Sequence, residues 1–151
     1  MERMIKETFA VMGMEGSTED GVDFIPNLWD RANTRYGEIS HLVLRDADGV
    51  PTMLWGAMSD CSRAFRPWED DFSRGLYLAG AECPLSAQPP EGWTKWIIPG
   101  FEYLRVPAAP DAFRQTLRLM AEQGLTLAGA VQDCTDPRTG TSYMLFPIRR
   151  L

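Results

Sequence analysis

The segment Gly75-Leu-Tyr-Leu-Ala-Gly-Ala-Glu-Cys83 is the most apolar, turn-bounded stretch of this chain, and it carries an acid near its end. Strand alternation puts Leu76, Leu78, Gly80 and Glu82 on one face and Tyr77, Ala79, Ala81 and Cys83 on the other. No lysine or arginine lies between Arg74 and Lys95 to neutralise Glu82. Burying a carboxylate unpaired raises its pKa by up to roughly 3 to 5 units, and at about 1.4 kcal/mol per unit this is a large fraction of a small domain's stability. The acid therefore finds a partner in the fold or receives one from outside. An acid held among aromatic walls suits a cationic or electrophilic small molecule, and the chain supplies five Trp, four Tyr and seven Phe.

With 151 residues, a single domain spanning 1–151 is expected, long enough to bury a core without disulfides or metal. A net charge of −6 and scattered lysines and arginines argue against direct nucleic-acid binding, which needs a basic patch. No signal-peptide run and no stretch of 18 apolar residues occurs, so a soluble cytoplasmic protein with no membrane association is expected. Cys61, Cys83 and Cys134 are odd in number and far apart, which suggests neither a disulfide framework nor a metal motif. His41 is the one histidine, no nucleotide or Gly-x-Ser-x-Gly motif appears, and no metal or cofactor is expected.

Periodicity divides the chain into alternating elements. Residues 5–14 read as a first strand. Asp23 opens a helix whose positions Ile25, Leu28, Trp29, Ala32 and Tyr36 share one face, with Gly37 ending it. Residues 41–45 and 52–58 read as two strands around the turn Asp46-Ala-Asp-Gly-Val-Pro51, and residues 59–74 as a connecting loop or short helix. After the Glu82 strand comes a long strand, 93–106, interrupted at Pro99-Gly100. A helix then opens at Pro110-Asp111 and closes at Gly124, followed by strands 125–134 and 142–148. The order strand, helix, strand, strand repeats. It predicts an α+β fold of duplicated β-α-β-β halves, about 1–88 and 89–151, forming an antiparallel sheet with two helices on one face and a central ligand cleft.

The run Leu76-Tyr-Leu-Ala-Gly-Ala-Glu82, then Pro90-Glu-Gly-Trp93, Ile98-Pro-Gly-Phe-Glu-Tyr103 and Tyr143-Met-Leu-Phe-Pro-Ile148, resembles the GyrI-like small-molecule-binding family. That family includes the effector-binding domains of AraC-type and multidrug-responsive regulators and integron-cassette proteins that bind cationic drugs. The likeness covers nearly the whole chain and implies a central cleft for hydrophobic, often cationic compounds, with a strand glutamate as the polar contact. By the match of Gly80-Ala-Glu82 that role is carried onto Glu82, and the tryptophan of the first helix onto Trp29. Relatives often have further acids in the strand after the second helix. Here that segment ends near Asp133, which leaves a second cleft acid open. Many relatives are fused to a helix-turn-helix, whereas this chain starts almost at once with its first strand, so a stand-alone member is expected.

The candidate ligand-binding residues are Glu82, Trp29, Trp55, Tyr103 and Trp68, and for all but Tyr103 a structural alternative stands beside the site role. Glu82 either points into a pocket or twists out to solvent at the strand end. Trp29 and Trp55 either line the cleft or pack in the core. Tyr103 shares its parity with Phe101, and Trp68 is either a lid over the cleft or a hydrophobic pin holding its loop. The expected function is binding of hydrophobic aromatic, cationic compounds for sensing or sequestration. The alternative, implied by the resemblance, is hydrolysis of strained cyclopropane-type electrophiles with Glu82 as the catalytic acid or base. An acidic surface that meets a protein partner is a third possibility.

Overall fold

A computed structural model describes residues 1–151. Eight strands form one antiparallel sheet: β1 (Glu2–Lys6), β2 (Phe9–Ser17), β3 (Leu54–Ser59), β4 (Leu76–Cys83), β5 (Thr94–Ile98), β6 (Phe101–Pro107), β7 (Gln132–Thr135) and β8 (Ser142–Arg150). Three α-helical elements accompany them, α1 (Phe24–Thr34), the single turn α2 (Glu69–Phe72) and α3 (Ala112–Glu122), with two short 3-10 turns at Thr18–Asp20 and Tyr36–Glu38. The fold is α+β, as the periodicity predicts. Each β-α-β-β unit, β2-α1-β3-β4 and β6-α3-β7-β8, is preceded by one further strand.

Those further strands correct the two long strands expected from the sequence. Residues 5–14 divide between β1 and β2, and residues 93–106 divide at Pro99-Gly100 into β5 and β6. In each case the break lets the chain change neighbours: β1 pairs with β6, whereas β5 pairs with β2. The sheet order is β1-β6-β8-β7-β3-β4-β2-β5. Residues 41–45 form turns rather than a strand, tied by an isolated bridge between Arg45 and Pro51. Of residues 125–134, only the last three enter β7. Pro99-Gly100 interrupts pairing at the second break, whereas the first falls at Glu7-Thr8 with neither residue type, and alternation alone does not reveal where a strand changes partner.

Both long helices are held by apolar stripes. α1 buries Phe24, Leu28 and Ala32, four residues apart, against Met12, Met14, Tyr77 and Ala79. Burying a leucine or phenylalanine fully is worth about 1.5 to 3 kcal/mol. Gly16 sets the helix-to-sheet spacing, because a Cβ there would press on Leu28. α3 sits on Leu104, Val106, Val131 and Phe146 through Met120, Phe113 and Leu117. Its end is closed by Gly124 at φ 72°, with Gly124 N–H donating to Ala121 O and Leu125 N–H to Met120 O at 2.8 Å.

Residues directly opposite across antiparallel strands share a face. One such row runs Val106, Met144, Asp133, Gly56, Ala79, Met14 across six strands. Val106 packs with the α3 cluster, and Ala79 and Met14 with the α1 cluster, so both helices cover the same face. The reverse face curls on itself and buries Phe9, Trp55, Leu78, Trp96, Phe101, Tyr103 and Leu145. No helix is long and apolar enough to cross a membrane.

Candidate functional site

Between the two helices the middle of that row is left uncovered. There Gly56 and Asp133 face each other on β3 and β7. A cavity of about 560 Å³ opens over them, lined by Trp29, Leu54, Gly56, Tyr77, Asp133, Thr135 and Met144, with Ala108, Ala109, Ser142 and Tyr143 at its other side. The size falls within the ordinary range of small-molecule sites.

Gly56 is required by the architecture of this floor. A Cβ at position 56 would collide with the Tyr77 hydroxyl, so the absence of a side chain lets the Tyr77 ring lie over β3. From α1 the Trp29 indole N–H donates to the Tyr77 hydroxyl at 3.0 Å. Phe24 meets the same ring edge-on at a centroid separation of 6.4 Å. Burial pushes the Tyr77 phenol up to about 12; the Trp29 hydrogen bond opposes this, and the Asp133 charge adds to it. Tyr77 is therefore a neutral, fixed aromatic wall at physiological pH.

Asp133 is the one acid in the lining of this cavity. It is half-buried, and its carboxylate takes part in no ion pair and accepts no hydrogen bond. Burial alone pushes its carboxyl from 3.8 up to about 6. Above that value the cleft holds a half-buried negative charge beside two aromatic rings, an arrangement complementary to a cation with apolar substituents.

Glu82 occupies a different place. It lies on the reverse face, directly opposite Val11, and its carboxylate pairs with Lys6 from β1 at 3.1 Å. Four strands separate β1 from β4 in the sheet, so the pair forms across the concave interior. Lys6 also stands 4.5 Å above the Phe9 ring and 5.8 Å from that of Trp55. Of the two outcomes left open for this acid, the first holds: its partner lies within the fold, 76 residues away in the chain. Glu82 does not line the cleft.

Of the other candidates, Trp29 lines the cleft, whereas Trp55 and Tyr103 belong to the reverse-face core. Trp55 packs on Phe9 at 4.7 Å, and both its indole N–H and the Tyr103 hydroxyl are buried without a partner. Burial pushes the Tyr103 phenol up, and the neighbouring Cys134 adds to this. Trp68 stands at a second hollow of about 230 Å³, lined also by Met58, Pro67, Phe72, Phe113, Val131 and Met144. Its indole N–H donates to Leu76 O at 2.9 Å, and Gly75 leaves room for its ring.

The loop carrying Trp68 is tied down at its start and strained at its tip. Burial pushes the Asp60 carboxyl up, but hydrogen bonds from Ser62, the Arg66 N–H and Ser59 outweigh it and hold the group at about 2. At the tip Asp70, Asp71 and Phe72 have φ of 52°, 56° and 63°, a left-handed turn without glycine. Such a conformation costs about 1 to 2 kcal/mol per residue. It is held by Phe72 packing edge-on against Phe113 at 5.0 Å and by Arg114 pairing with Asp71 at 3.4 Å.

Tyr77 lines the cleft without having been among the sequence candidates, and Asp133, left open there as a second cleft acid, is the acid found in the lining. A signal for Asp133 was present: an acid two residues beyond Val131 in strand alternation, with no basic residue before Arg138. No group of three or more His, Cys, Asp or Glu stands together as a metal site.

No family model matches the chain, and no curated protein matches it. Solved structures do. SAV2435 bound to tetraphenylphosphonium aligns with a TM-score of 0.61 and 14% identity, over 98% of this chain and 93% of that one. Integron cassette protein VCH_CASS2 from the mobile metagenome of Vibrio cholerae aligns at 0.55 and 15%, covering 98% and 95%. A candidate transcription regulation protein from Staphylococcus aureus MU50 aligns at 0.61 and 11%, covering 98% and 97%. At these identities the likeness establishes the fold.

Proposed function

We propose that this protein binds hydrophobic cations in the cleft between α1 and α3, with Asp133 as the counter-charge and Trp29 and Tyr77 as the aromatic walls. The reading rests on the unpaired, half-buried Asp133 in a cavity of about 560 Å³. The fold shared with SAV2435, a protein bound to the cation tetraphenylphosphonium, supports it. Glu82, already neutralised by Lys6, contributes no free charge to the cleft. Sensing or sequestration of such compounds, in the manner the GyrI-like resemblance implies, follows from binding without chemistry.

The test is a titration with tetraphenylphosphonium followed by tryptophan fluorescence. Asp133→Asn is expected to weaken binding at least tenfold, and Glu82→Gln to leave it within twofold. Equal binding by the wild type and Asp133→Asn would remove the electrostatic basis of the proposal.

One observation keeps the hydrolytic alternative in view. A carboxyl with a pKa near 6 beside aromatic rings is suited to activating water as a general base. In that reading the base is Asp133 rather than Glu82. More than one product per chain from an excess of a cyclopropane-bearing electrophile would establish turnover.

A further inference from the structure

The two hollows meet at Met144, which lines both. Their chemistry differs sharply. The larger presents Asp133, Thr135 and Ser142, whereas the smaller is walled by Met58, Pro67, Trp68, Phe72, Phe113, Val131 and Met144. The side chains around the smaller one bring no charge and no hydroxyl, and the Trp68 N–H is already engaged by Leu76. Val131 and Asp133 lie two residues apart, on the same face of the sheet as Met58 and Gly56. An acid and an apolar hollow are thus placed end to end along the sheet. A methionine side chain, long, unbranched and adaptable in shape, separates them.

We propose that the hollow beneath Trp68 and Phe72 is a second subsite that takes the apolar tail of an elongated cationic amphiphile whose charged head sits at Asp133. The inference rests on the reading of Asp133 given above and extends it to the ligand's shape: a compact cation fills only the first cavity, and a cation with a linear hydrocarbon tail fills both. Met144 swings aside to join them. Phe72, at the end of the left-handed turn, packs on Phe113 as the outer wall of the tail site.

The experiment compares tetramethylammonium with a series of alkyltrimethylammonium ions of increasing chain length, kept below micelle formation, by calorimetry. With wild-type protein, affinity is expected to rise about fourfold per methylene until the hollow is filled and then to level off. Val131→Trp, which fills the hollow, is expected to flatten that rise while leaving tetramethylammonium binding unchanged. Independently of whether that variant folds, a tail ending in bromine is expected to quench tryptophan fluorescence strongly in the wild type and markedly less in Trp68→Phe. Binding of short cations with no gain from longer tails overturns this inference and leaves the Asp133 reading standing. Failure of every cation to bind overturns both. A chain-length gain that persists in folded Val131→Trp, or quenching equal in wild type and Trp68→Phe, also overturns it.

Discussion

The acids of the reverse face and Asp133 on the helix-bearing face are treated in opposite ways. On the reverse face Glu82 is paired with Lys6, and Glu15 is held by Arg63 and by the Trp96 indole N–H at 2.7 Å. On the helix-bearing face Asp133 has neither a cation nor a donor. Burial acts on Glu15 as on Asp133, yet hydrogen bonds and the Arg63 charge hold Glu15 below the usual carboxylate range, whereas nothing offsets burial at Asp133. The concave face closes on itself, and its acids are satisfied from within, although the Trp55 indole N–H and the Tyr103 hydroxyl on the same face are not. The other face is interrupted between two helices and leaves its acid for an incoming group.

The comparison is broken most severely at Lys6. Lys6→Met removes one partner from a mostly buried pair and leaves Glu82 charged in apolar surroundings. A loss of about 3 kcal/mol in urea denaturation is expected. If stability instead stays within 0.5 kcal/mol, roughly the scatter of surface substitutions, the pair is a surface contact and the contrast fails.

Asp133→Asn is expected to act in the opposite direction and raise the stability of the unliganded protein by about 1 to 2 kcal/mol. The ceiling set by its pKa shift is about 3 kcal/mol, discounted because the group is half-buried. The sign follows from linkage. The folded pKa, about 6, lies above the ordinary 3.8, so Asp133 favours the folded state below pH 3.8 and loses that contribution as pH rises through 6. A stability decline between pH 4 and 7 in the wild type that is missing from Asp133→Asn would sharpen the comparison. Parallel curves would show that Asp133 is solvated after all.

Smallest is the effect of replacing both members of the reverse-face pair. Lys6→Met combined with Glu82→Gln is expected to fall within about 1.5 kcal/mol of the wild type, because no unpaired charge remains. Cation binding by this double variant is expected to stay within twofold, read by the same fluorescence titration. A binding loss as large as that of Asp133→Asn would relocate the site to the reverse face.

Much of the architecture is legible in the sequence because it follows local periods. The alternation in residues 75–83 assigns Glu82 and Tyr77 to opposite faces, and the spacing of Leu28, Ala32, Phe113 and Met120 gives the helical stripes. Trp29 is visible as an aromatic on the first stripe. The site is less legible. Both faces of β4 are apolar, so alternation does not say which one the helices cover, and Glu82 and Tyr77 are equally eligible for the cleft. Lys6 cannot be matched to Glu82 from the sequence, since the pairing depends on how far a sheet with four intervening strands curls. Tyr77 gains its position from Gly56, a glycine whose purpose appears only once its neighbour on β4 is known.

The amino-acid order by itself determined the class of elements, their sequence along the chain and the parity of each strand, because these depend on interactions within a few residues. Tertiary structure alone decided which acid is neutralised and which is left bare. Electrostatic partners meet through space, and their meeting depends on strand order and sheet curvature, quantities no local pattern encodes. Asp133 is uncompensated because the row it occupies passes between two helices, and no cation of the chain lies on that part of the sheet.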